Sequence, residues 1–511
     1  MNKFLSCVIG GTLIAVGSSA HAEWRRYETQ HFIIYSEAGD AKATDRATRL
    51  EKIDGLMRMA TGLSSEVEPV KVRIYELADE GEVQAAYGGD AKGVGGFYTS
   101  NILGPFAVTL RRFYSADGDF SAEIVLHHEY AHHFMLQYFP ADYPGWYSEG
   151  FAELIGASRI MDDGRVAYGY PAKYRGGFIG DVWVPVSDIV ATDADKVPPY
   201  DVYGQGWVMT HFFTFTKGRS QQLRQYLAAL TAGKSRADAA KAFGDLGQLN
   251  QDARLYMTRG VYEYKPVDVK IEQPVIQRTT AVSPAEAALI PETVALEDYD
   301  VRLFKKDAER QEELKRRAGL LERIRSKAGR YPNDPYALYL LAEAENLSGN
   351  ATAAEAAVDR LLSMDPNNVH GLVRKSLLLS DAAAKLSGQA QLDMAAQARA
   401  LAVRANKANS DEPLTYVAYY QSYRSAGLKT PQDALQALEG ALDKLPDNTQ
   451  VRRMLVEEYA SQKRWADAIT TLAPIANNSH DSPLRAEARE RLAQLQAQLK
   501  AEQASRKTAA N

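Results

Sequence analysis

His128-Glu129-Tyr130-Ala131-His132 lies in a stretch from Ser121 to Met135 with apolar residues at Ile124, Val125, Leu126, Phe134 and Met135, the pattern of a helix. On an α-helix, residues i and i+4 share a face, about 6 Å apart along the axis. Two imidazoles so placed can grip one Zn²⁺, and the glutamate between them can reach a water on the same metal. Asp119 or Ser121 can cap this helix, and Pro140 lies past its end. The bland alternative is a pair of satisfied core histidines. The flanking residues weigh against it.

A second helix is expected after Pro144-Gly145, carrying Trp146-Tyr147-Ser148-Glu149-Gly150-Phe151-Ala152-Glu153. Sixteen residues lie between His132 and Glu149, enough for a helix end, a reversal and the start of an antiparallel helix. Glu149 can then face the two histidines as a third ligand. His128-Glu129-x-x-His132 followed by Trp146-x-x-Glu149-Gly150-x-Ala152 resembles the gluzincin metallopeptidases, the clan of thermolysin and aminopeptidase N. The resemblance implies an α+β zincin-like domain with a mixed sheet and active-site helices. It makes Glu149 the third zinc ligand. It makes Glu153 the acid that holds a zinc-bound histidine by its outer N–H. Val202-Tyr203-Gly204-Gln205-Gly206-Trp207 is similar to the stretch that carries the oxyanion-stabilising tyrosine in aminopeptidase N-like enzymes, which implies that role for Tyr203. Tyr200 is its rival. His211, in apolar company, reads as a core residue, and His127 and His133 read as packing or polar core residues. At the place of the family's amine-binding strand this chain has Gly93-Val94-Gly95-Gly96-Phe97-Tyr98, without the amine-binding glutamate. Gly95 and Gly96 fit an edge strand that a peptide substrate can approach closely.

Residues 1–22 read as a signal peptide: Lys3 in the n-region, an apolar run from Phe4 to Val16, and Ala20-His21-Ala22 as cleavage site. The expected location is therefore outside the cytoplasm, in a bacterial periplasm or secreted. The one cysteine, Cys7, falls inside that segment, so a mature chain without disulfides is expected. No later segment is long and apolar enough to span a membrane. The 511 residues are too many for one ordinary core. A net charge of −5 with no basic stripe argues against a nucleic-acid partner.

Strands are expected at 31–35, 70–75, 95–100 and 106–111, and helices at 41–59, 79–87, 206–216, 220–230 and 237–243. The peptidase-like domain is assigned 23–262. Pro266, Pro274, Pro284 and Pro291 mark 263–297 as an extended linker with one or two strands at most. From 298 to 495 the chain is rich in Ala and Leu and punctuated by Asn333-Asp334-Pro335, Asp365-Pro366-Asn367-Asn368, Asp411-Glu412-Pro413, Pro446-Asp447-Asn448 and Asp481-Ser482-Pro483. Spacings of roughly 31, 47, 34 and 36 resemble the tetratricopeptide period, with an insertion in the second unit. An all-α tetratricopeptide-like solenoid is expected there, offering a surface for a protein partner. Residues 496–511 are expected to be a disordered tail.

The expected activity is hydrolysis of peptide bonds in a peptide or protein substrate, with Zn²⁺ as cofactor, Glu129 as general base and Tyr203 at the oxyanion. The competing expectation is a scaffold that works through its helical repeats and keeps a non-catalytic zinc domain.

Overall fold

A computed structural model describes residues 23–64, 70–87, 96–101, 104–112, 121–139, 141, 143–175, 183–192, 199–296, 306–476 and 483–510. The signal segment, Gly95 and Asp119 lie outside them.

The N-terminal half is built on a six-stranded mixed sheet. Its strands are β1 (Arg25–Glu28), β2 (Phe32–Ser36), β3 (Val72–Leu77), β4 (Gly96–Asn101), β5 (Gly104–Leu110) and, from the far end of this half, β9 (Arg278–Ala281). The order is β4-β5-β3-β2-β1-β9. β2, β3 and β5 run parallel, while β4, β1 and β9 pair antiparallel to their neighbours. A smaller sheet joins β6 (Arg159–Ile160), β7 (Val166–Tyr168) and β8 (Lys265–Val267).

The central strands are apolar on both faces, so both must be covered. Phe32, Ile34, Val72 and Ile74 face α1 (Asp40–Thr61), which presents Ala43, Ala47, Leu50, Ile53 and Met57. The same cluster takes in Leu126, Tyr130 and Phe134 of α3 (Ala122–Tyr138). On the other face, Tyr35, Tyr75, Leu77 and Phe106 pack against Val83 and Ala86 of α2 (Glu80–Tyr87). A buried polar network ties this architecture together: Glu51 accepts from the His31 backbone N–H at 3.0 Å, and Asp54 accepts from Arg58 and Tyr130 at 2.6 and 2.7 Å.

After α3 come α4 (Gly145–Gly156), α5 (Val186–Val190), α6 (Pro199–Phe215), α7 (Arg219–Thr231), α8 (Arg236–Ala240) and α9 (Leu246–Arg259). α6 starts seven residues before the expected 206, because its glycines lie inside the helix rather than ahead of it.

The stretch expected as an extended linker, 263–297, is not one over its described residues, 263–296. They supply β8 to the small sheet, β9 to the edge of the main sheet, and α10 (Pro284–Val294), whose Ile290 and Val294 cover the second face of that sheet. The prolines mislead. Ser283 caps α10 by accepting from the Glu286 N–H, and Pro284 sits in the first turn, where its missing donor does no harm.

The remainder is helical: α11 (Asp307–Ala328), α12 (Pro335–Leu347), α13 (Ala351–Met364), α14 (Val369–Ala383), α15 (Gly388–Ala408), α16 (Pro413–Arg424), α17 (Gln432–Lys444), α18 (Thr449–Ser461), α19 (Trp465–Ala476) and α20 (Pro483–Ala510). Helix pairs start at Pro335, Val369, Pro413 and Thr449 and a last helix at Pro483, steps of 34, 44, 36 and 34 residues. The long step holds α15, a 21-residue helix. The Asp/Asn–Pro punctuation is capping chemistry. Asp334, Asn368 and Asn448 each accept from N–H groups in the first turn that follows. Residues 496–510, expected as a disordered tail, continue α20, and Leu495 is buried at their start.

The array meets the sheet half at separate places along its length. Near its start, Tyr336 and Thr293 hydroxyls lie 2.6 Å apart, and Lys327 pairs with buried Glu292 at 2.6 Å. Further on, the α17–α18 turn touches β4.

Candidate metal centre

α3 starts where Ser121 caps it, its hydroxyl accepting from the Ile124 N–H at 3.4 Å. The helix buries Leu126, Tyr130 and Phe134 in the core, which turns His128 and His132 toward α4. α4 packs so closely that a Cβ on Gly156 would stand 3.3 Å from the Cβ of His128. α4 in turn crosses α6 at two glycines. A Cβ on Gly150 would fall 2.3 Å from the Gly206 carbonyl oxygen, and one on Gly206 would fall 2.6 Å from the Trp146 carbonyl oxygen. Only glycine allows this backbone contact. It fixes the neighbouring Glu149 on one helix and brings Tyr203, three residues before Gly206, to the other side of the site.

The result is a buried cluster. Nε2 of His128 and Nε2 of His132 lie 3.2 Å apart, and Oε2 of Glu149 is 3.4 Å from each. Donor atoms on one tetrahedral zinc, at bond lengths of about 2.0–2.1 Å, stand about 3.3–3.4 Å apart. The donor set, two imidazoles and one carboxylate, suits that ion. The outer nitrogens are also held. Glu153 Oε1 is 3.2 Å from His128 Nδ1, and Ser148 Oγ is 3.3 Å from His132 Nδ1. Tyr174 donates to the other oxygen of Glu153 at 2.9 Å. An imidazole anchored through Nδ1–H offers the lone pair of Nε2 inward.

The two kinds of group shift each other's titration in opposite directions. Burial alone would lower the His128 pKa, but the Glu149 and Glu153 carboxylates outweigh it and push it up to about 10. Burial would raise Glu149, yet His132 and His128 hold it well below the usual carboxylate range.

Glu129 lies on the same helix, between the two histidines and less buried than His128. The ring of Tyr203 stacks on that of His128, with centroids 6.1 Å apart and planes 25° apart. Gly96 begins β4, but its lack of a side chain already serves the sheet: a Cβ there would meet the Val108 carbonyl oxygen at 2.6 Å. His211 is a core residue. Its ring nitrogens face the Tyr256 hydroxyl at 2.7 Å and the Gly169 carbonyl at 2.9 Å, and burial takes its pKa down to about 4. Burial takes His127 down to about 4 as well.

Residues 426–499 match the tetratricopeptide repeat family. They run from just past α16 into α20. Among solved structures, the chain is similar to a thermophilic TPR protein of Thermus thermophilus, with 22% identity and a TM-score of 0.32 over 36% of this chain and 93% of that one. No curated protein matches the chain.

A second cluster, His31, Glu51 and Asp54, also gathers possible ligand atoms. Its carboxylates are already engaged by Arg58, Tyr130 and the His31 backbone, so a cation would have to displace protein donors. Sequence reasoning missed one group near the metal helix. His133 lies 2.7 Å from the Tyr98 hydroxyl on β4, and that hydroxyl donates to Asp447 of the repeat array. Among the described residues, no helix is long and apolar enough to cross a membrane.

Proposed function

We propose that the chain is an exported, gluzincin-like zinc peptidase that hydrolyses peptide bonds, with its helical repeats engaging a protein partner or substrate. The observation that carries the reading is the 3.2–3.4 Å spacing of the three donor atoms of His128, His132 and Glu149. His128, His132 and Glu149 would hold the ion, and Glu153 and Ser148 would orient the imidazoles. Zinc bound there supplies Lewis acidity toward a water and a peptide carbonyl. Glu129 takes the proton of the attacking water and later delivers it to the leaving amine. Tyr203, beside His128, donates its phenol proton in a hydrogen bond to the oxyanion. Residues 1–22 would direct export. The family match over 426–499 favours a role in protein interaction for the repeats.

The test is metal analysis together with cleavage of a mixed peptide library. Glu129→Gln is expected to bind zinc and lose hydrolysis by at least about a hundredfold, the usual scale of general-base catalysis. His128→Ala is expected to lose both. Zinc with no cleavage of any peptide by the unaltered protein would favour the scaffold reading, and undiminished cleavage by Glu129→Gln would refute the mechanism.

A further inference from the structure

The repeat array reaches the metal helix through Asp447. Asp447 lies in the turn between α17 and α18, and its side chain is only 4% exposed. Its Oδ2 accepts the hydroxyl proton of Tyr98, on β4, and stands 3.8 Å from His133 Nδ1. The Tyr98 oxygen and His133 Nδ1 are 2.7 Å apart. With the phenol proton given to the carboxylate, Nδ1–H of the imidazole donates to the phenol oxygen. His133 comes four residues after Glu129, so it continues the same helix face one turn on. Tyr98 therefore bridges β4 and the face of α3 that carries the base. A second contact supports this junction: a Cβ on Gly104, at the β4–β5 turn, would lie 3.8 Å from Leu445 Cδ2. β4 ends the sheet, pairing with β5 alone among the described strands. A peptide in extended form could add to its other edge through backbone hydrogen bonds.

We propose that Asp447 is a positioning residue of the zinc cleft. By holding Tyr98 against His133, it sets β4 at a fixed separation from α3, so that an extended peptide paired with β4 lies along the metal helix. The proposal rests on the peptidase reading. It assigns the cleft to both halves of the chain.

The experiment compares the full-length protein with Asp447→Ala, Tyr98→Phe, the double variant and Asp447→Asn. Zinc content, peptide-cleavage kinetics and amide hydrogen exchange of residues 96–101 are measured on each. Backbone pairing with β4 is the same in ground and transition states, so weakening it raises KM and leaves kcat. A contact that merely stabilises the fold would instead lower the active fraction, so apparent kcat would drop at constant KM. Loss of one charge-assisted hydrogen bond is expected to raise KM about tenfold in each single variant. The double variant should be no worse than Tyr98→Phe, since that substitution already removes the phenol bridge between Asp447 and His133. Asp447→Asn keeps an acceptor oxygen and should recover most of the loss. Exchange in β4 should quicken in Asp447→Ala while zinc content holds. Unchanged KM, or unchanged exchange in β4, overturns the proposal. Unaltered protein that binds zinc and cleaves nothing overturns the peptidase reading. Quickened exchange in Asp447→Ala would then show that the junction exists and that the reading of the site is what failed.

Discussion

On the proposed reading zinc would compete with a proton for His128, and that competition would set a pH slope. The carboxylates of Glu149 and Glu153 push that imidazole up to about 10 against the effect of burial. With that proton held at about pH 8, zinc entering the proposed site would have to expel it. Each pH unit below the pKa weakens apparent zinc affinity about tenfold, or about 1.4 kcal/mol. Binding is then about a hundredfold weaker at pH 8 than to the unprotonated site, and about a thousandfold weaker at pH 7. A histidine with its ordinary value of 6.5 would give almost no slope above about pH 7.5. The assay is competition against a chelator of known proton affinity, from about pH 6.5 to 9, with calorimetry in two buffers of different ionisation enthalpy to count protons. About one proton should leave per zinc bound near pH 8. Glu153→Gln removes one of the two carboxylates and should end the slope at lower pH. Stability follows the same linkage. His128, raised in the folded state, stabilises the metal-free protein below about pH 6.5 and loses that contribution as pH rises through about 10. Glu149, held low, contributes above the ordinary carboxylate range and loses its share as pH falls through its depressed value. Flat zinc affinity between about pH 7.5 and 9, with no proton released, would refute the idea that this cluster holds a proton where the cation belongs.

Tyr203→Phe keeps the ring stacked on His128 and removes the hydroxyl. It should lower kcat by about 10²–10³, with zinc content unchanged, as for loss of one oxyanion donor. An unaltered kcat would take Tyr203 out of the chemistry. Gly150→Ala would place a methyl 2.3 Å from the Gly206 carbonyl oxygen and 2.4 Å from Thr210 Oγ1, so α4 and α6 must part. A loss of about 1–3 kcal/mol is expected by thermal or denaturant unfolding. Zinc affinity should weaken too, because Glu149 is the adjacent residue. A variant as stable as the parent would show that the two helices do not cross at these glycines.

The candidate cluster is legible because its parts are local. His128, His132, Glu149 and Glu153 occupy two consecutive helices joined by a short reversal, so spacing alone nearly determines which side chains can meet. The central strands are legible for a related reason: runs such as Phe32-Ile33-Ile34-Tyr35 are apolar at both parities, which calls for cover on both faces. What supplies that cover is much harder to read. α10 shields one face from more than two hundred residues downstream, in a stretch whose prolines suggest extended chain. Proline is ambiguous there. Pro284 begins a helix, while Pro291 sits inside one, and only the Ser283 cap distinguishes a helix start from a loop.

The same distinction between near and far partners explains two further features. A glycine such as Gly206 looks like a turn when read alone, and becomes a helix position once the α4 backbone lies against it. His133 reads as one more core histidine on α3, because its environment comes from Tyr98 and from Asp447, a residue separated from Tyr98 by 349 positions. Asp447 itself reads as repeat punctuation, beside the Asn448 that caps α18. Periodicity reports what a helix does within its own unit, and is silent about what a turn between units touches. Burial of Asp447, a carboxylate whose lost solvation is offset chiefly by His133 and Tyr98, therefore argues that the repeats are fitted to the sheet half. An array attached through a flexible linker would leave such a turn residue in water, and would have no reason to place an acid against the helix that carries Glu129.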